Sequence, residues 1–139
     1  MILEAEYIPV GSIAKERLSQ TFVLCRKQAK WAERAALCGL AEIALADGDL
    51  AQAQRYTAEL LTDLEAYPWP RIFLGFRPHL VCYRVLRVSE DPRADGILEQ
   101  AYRMLQERAA QIEEAELRRS YLENVAVNRE IVAEYDRRH

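Results

Sequence analysis

The chain has 139 residues, with 19 Lys and Arg against 22 Asp and Glu, a net charge of −3, and half its residues hydrophobic. That length suits one domain that buries its core without crosslinks. The mixed signs exclude the basic stripe of a nucleic-acid binder and any pull toward acidic lipid. The three cysteines (Cys25, Cys38 and Cys82) are too few, and odd in number, for a secreted disulfide scaffold, and no apolar run is long enough for a membrane span. The opening residues, Met1 to Glu6, lack the basic lead and apolar stretch of a signal peptide, so the expected setting is cytoplasmic.

Only five Gly and five Pro punctuate a sequence dominated by Ala, Leu, Glu, Arg and Gln, which selects an all-α fold. Residues 1–11 read as a partial lead-in, 12–112 as helical hairpins and 113–139 as terminal capping helices of a single domain, 1–139. Gly11-Ser12 opens a first helix, Ser12 to Ala29, with Ile13, Leu18, Phe22 and Cys25 as its apolar positions. A second, Trp31 to Ala46, places Leu37, Leu40, Ala41, Ala44 and Leu45 on one face. Asp47-Gly48-Asp49 breaks it, Gly48 supplying a left-handed C-cap and Asp49 the next N-cap. The third helix, Leu50 to Ala66, carries Ala53, Tyr56, Leu60, Leu61 and Leu64 at helical spacing.

Tyr67-Pro68-Trp69-Pro70 cannot continue a helix. Pro78 suits the first turn of a fourth, through Leu80, Val81, Val85, Leu86 and Val88. Asp91-Pro92 starts a fifth, as N-cap and first helical residue, running through Ile97, Leu98, Ala101, Leu105 and Ile112. A sixth covers Ala115 to Glu123, Asn124 to Val127 form a break, and a seventh spans Asn128 to Tyr135. The breaks at Gly11, Gly48 and Asp91 recur at roughly forty-residue intervals, the spacing of stacked hairpins.

Leu37, Leu40-Ala41, Ala44, Gly48-Asp49, Leu50, Ala53, Tyr56 and Leu60 stand in the order and at the offsets of a tetratricopeptide repeat, which this segment resembles. The likeness covers one hairpin well. Elsewhere Glu90-Asp91-Pro92 stands where Gly-Asp belongs, and Glu65 where a closing Pro belongs. The tail, Leu117 to Ile131, is similar to stretches that end the helical-repeat regions of large bacterial signalling ATPases, nucleotide cyclases and transcriptional regulators. The resemblance implies antiparallel hairpins stacked as a short right-handed solenoid of six to seven helices, serving as the scaffold or sensor part of a larger regulatory protein. It also implies that Cys38, Gly39 and Glu42, at the positions where some family members clamp a carboxylate, cannot do so here.

No catalytic, cofactor or metal site is expected. His79 and Cys82 offer two ligands where a metal needs three or four, no nucleophile motif surrounds any serine, and Glu113-Glu114 sits in a polar junction. The expected function is protein–protein interaction, with Arg77, Arg84, Arg87, Trp69 and Tyr83 as candidate contact residues. The arginines share one side of the fourth helix, set either to reach a partner or to pair with acids on neighbouring helices. Trp69 either tucks its loop onto the core or anchors an interface. A regulatory small-molecule sensor, holding its ligand in the concave groove near Trp69, Tyr83 and Arg84, is the alternative. Because Ser12 to Ala29 reads as half a hairpin, the stack is expected to be cut from a longer array and to form a weak homodimer through its uncapped N-terminal end.

Overall fold

Apolar residues recurring every three to four positions generate six helices and no strand among the residues described by the computed structural model, 32–70 and 74–139. The expectations for Gly11, Ser12 to Ala29, Trp31, Arg71 and the N-terminal end of the stack lie outside those residues. From Arg34 to His139 the chain forms one compact unit. Its helices are α1 (residues 32–46, of which 34 onward belong to this unit), α2 (Leu50–Ala66), α3 (Arg77–Val88), α4 (Arg93–Ala110), α5 (Ala115–Glu123) and α6 (Ala126–Arg138). None of them is long and apolar enough to cross a membrane.

Helix α3 is central. It packs against α2 on one side and α4 on another and also touches α6, so its residues are buried almost all round, from Pro78 to Tyr83 and again at Val85 and Leu86. Helix α4 buries the stripe Ala94, Leu98, Ala101, Leu105 and Ala109, at spacings of three and four. Where α2 crosses α3, Ala53 meets Ala44 of α1 and Val85 of α3; only small side chains allow that approach. Helix α5 has no buried residue. Its Arg118 guanidinium donates to the carbonyl oxygens of Ile112 and Glu113 in the turn between α4 and α5.

Two turns repeat one geometry. After α1 the N–H of Asp49 donates to Ala44 O at 2.8 Å and that of Gly48 to Leu45 O at 3.2 Å, with Gly48 at φ 79°. After α3 the N–H of Asp91 donates to Leu86 O at 2.8 Å and that of Glu90 to Arg87 O at 3.0 Å, with Glu90 at φ 57°. Both are Schellman closures, and each is followed by an Asp whose carboxylate accepts an N–H at the start of the next helix: Gln52 for Asp49, Arg93 for Asp91. Glu90 therefore holds a left-handed conformation that costs a side-chain-bearing residue about 1–2 kcal/mol.

Three expectations need correction. Leu40 is not on the buried face of α1: it is 42% exposed and Ile43 59%. At about 100° per residue Leu40 falls off the arc centred on Ala41, and Cys38, fully buried, completes that face instead. Val88 is exposed, one turn beyond the core stretch of α3. The last helix begins at Ala126 rather than Asn128, so the break is shorter than expected, and the buried Asn128 side chain donates to Tyr121 O at 3.1 Å, joining α6 to α5. At the start of α4 the expected cap is present: the Asp91 carboxylate accepts the Arg93 N–H, and Pro92 between them has helical angles, φ −64° and ψ −15°.

Candidate functional site

Helix α3 carries Arg77, Arg84 and Arg87 along one side, because steps of seven and three residues return to the same face. Acids from α1 and α6 flank that side. Arg77 Nη2 donates to Glu42 Oε1 of α1 at 2.6 Å. Arg84 reaches both neighbours, lying 3.7 Å from Glu42 Oε2 and hydrogen-bonded to Glu130 of α6. Arg87 Nη1 donates to Glu134 Oε1 at 3.3 Å, and Arg137 meets the other oxygen of that carboxylate at 2.6 Å. The three arginines thus form a cationic row between two acidic flanks. All three ion pairs are part-exposed, where such contacts contribute about 0–1 kcal/mol each and exchange readily.

Tyr83 does not belong to that surface. It is 2% exposed, packed in the core, and its hydroxyl donates to Glu134 Oε1 at 2.8 Å while accepting from Arg87 at 2.9 Å. Burial, and then the carboxylate beside it, push its pKa up. The phenol serves to fix Glu134, and through it Arg87.

Trp69 is 57% exposed, on the outside of the Pro68-Trp69-Pro70 segment. The loop is not loosely attached. His79, almost fully buried in the first turn of α3, donates from Nε2 to the carbonyl of Pro68 at 2.9 Å. Burial lowers the His79 pKa, which keeps the ring neutral, and Phe76 packs against it at 5.4 Å between ring centres. This buried hydrogen bond anchors the backbone of the loop at Pro68, next to the exposed indole. Arg77 begins the arginine row at the same end of α3, but two residues from His79 and so about 200° around the helix from it, which puts the loop and the row on different faces.

Cys38 and Cys82 are buried free thiols, pushed by desolvation up to about 11 and about 12 respectively. The sequence alone did not identify Glu42, Glu130 and Glu134 as the acids that pair with the arginines, nor the anchoring role of His79. The signal for the acids was present in Glu130 and Glu134, four residues apart on the last helix and so able to face the arginines as a pair. No family model, curated protein or solved structure matches the chain.

Proposed function

We propose that this chain is a protein-interaction module, a short tetratricopeptide-like stack of helical hairpins that grips a protein or peptide segment with Trp69 and the arginine row of α3. The observation that carries the reading is the exposed Trp69 on a loop pinned by His79. A large aromatic exposed at rest but held rigid loses little entropy on binding and buries much apolar area, the profile of an interface hot spot. The arginine row, on another face of the same helix, supplies polar contacts, exchanging its part-exposed intramolecular carboxylates for those of the partner.

The repeated Schellman turn supports the stacked-hairpin part of the proposal, since equivalent closures after α1 and α3 are what two copies of one unit would display. The likeness of the tail to the repeat regions of bacterial signalling and regulatory proteins suggests a scaffold or sensor role within such a system. A small-molecule sensor with its ligand near Trp69, Tyr83 and Arg84 is less well supported, because Tyr83 is buried and Arg84 is held between Glu42 and Glu130.

The test is a photo-crosslinking amino acid placed at position 69 in cells that make the protein, with the exposed position 117 as control. The proposal expects a discrete polypeptide adduct from position 69 that is lost when Arg84 and Arg87 are both changed to Gln. Equal, diffuse labelling from both positions would count against it.

A further inference from the structure

We propose that Tyr102 and Tyr135 form an oxidative crosslinking site, at which a peroxide-driven one-electron oxidant joins the two phenols into a dityrosine that ties α6 to α4. The rings lie face to face, 3.8 Å between centres and 6° from parallel. One belongs to the middle of α4 and the other to the last turn of α6. Among the described residues no other two tyrosines meet ring to ring.

The surroundings direct a radical on either ring toward the other. His139 stacks on Tyr135 at 4.0 Å, and two rings cannot share one face at such distances, so Tyr102 and His139 cover opposite faces of Tyr135. The His139 ring is held there by donation from Nδ1 to the carbonyl of Tyr135 at 2.9 Å. Both tyrosines are half-buried and line an open hollow of about 380 Å³ with Glu99, Gln106 and Glu107, which gives a small oxidant access. Neither phenol is hydrogen-bonded to another described residue, so each hydroxyl proton is free to pass to water. Tyr83 is the contrast, with its hydroxyl held between Glu134 and Arg87 in the core.

Each phenol gives one electron to the oxidant and its hydroxyl proton to water, leaving a phenoxyl radical whose spin is shared with the ortho carbons. The two radicals form one carbon–carbon bond between ortho positions. Each ortho proton then moves through water to its own phenolic oxygen, which restores both phenols. In sum two electrons reach the oxidant, enough to reduce one peroxide bond, and two protons are released. Because the rings are already in contact, the coupling has the advantage of partners held together before they react. Helix α6 buries only Asn128 and Ile131, and the new bond fastens its far end.

Brief illumination of the full chain with ruthenium tris-bipyridine and persulfate, at micromolar protein, tests this. The expected product is a monomer two hydrogens lighter, with dityrosine fluorescence, in which trypsin leaves peptides 94–103 and 130–137 joined. Each of these peptides holds a single tyrosine. Tyr102→Phe and Tyr135→Phe should each remove that product, and both should fold as wild type because phenylalanine keeps the stacked ring. The same treatment in concentrated urea should lower the yield roughly tenfold, since the rings are then no longer held together. The linked chain should melt several degrees higher than the unlinked one. Oxidation that couples the exposed Tyr67 between molecules while peptides 94–103 and 130–137 stay separate would overturn the proposal, as would a yield indifferent to urea.

Discussion

Replacing Glu90 with glycine should stabilise the protein, and the size of the effect follows from the backbone. Glu90 sits at φ 57°, is exposed, and its side chain makes no hydrogen bond or ion pair among the described residues. Releasing the left-handed strain gains about 1–2 kcal/mol, against which glycine loses about 0.5–1 kcal/mol more chain entropy on folding. The net is a stabilisation of about 0.5–1 kcal/mol, or a few degrees in Tm. Glu90→Ala is the control, because alanine keeps the strain and should stay close to wild type. Gly48→Ala is the mirror: a Cβ there meets nothing within 4 Å, so its expected loss of about 1 kcal/mol is purely conformational. Urea melts of the three variants measure the differences. If Glu90→Gly were no more stable than Glu90→Ala, the equivalence of the two turns would be refuted.

Ala53→Leu should cost about 1–3 kcal/mol by forcing apart the contact with Ala44 and Val85, and a melt identical to wild type would contradict that packing. His79 is buried with its pKa below the ordinary 6.5, so the unfolded chain takes up a proton first as the solution is acidified. Its contribution to stability is therefore complete above pH 6.5 and declines as the pH falls below it. That part of the slope should vanish in His79→Gln, as read by Tm against pH. Cys38 and Cys82, with thiols pushed to about 11 and about 12, should react with a thiol reagent only as fast as the protein opens. Rapid labelling at either position, mapped by mass spectrometry, would contradict their burial.

The helices were legible because their signals are local and redundant. Ala115 to Glu123 and Leu50 to Ala66 are bounded by residues that stop or start a helix by themselves, and their observed limits coincide with the expected ones. What could not be read depended on partners distant in sequence. Nothing local in the sequence tells that the Asn128 amide reaches Tyr121 or that the His79 ring holds the carbonyl of Pro68. The candidate surface was half visible. Three arginines on one helix face can be counted from spacing, but only the packing of α1 and α6 shows that they are already paired, and that Tyr83 lies beneath them.

The interaction reading depends most on Trp69. The indole is 57% exposed, leaving about 140 Å² for a partner to cover, which corresponds to about 3 kcal/mol. Leu117 is similarly exposed, at 58%, on α5. The decisive measurement is the Kd of Trp69→Ala and of Leu117→Ala for the partner captured by crosslinking. A roughly hundredfold loss for Trp69→Ala, with Leu117→Ala unchanged, is the predicted result. Equal affinities for both variants and wild type would contradict it.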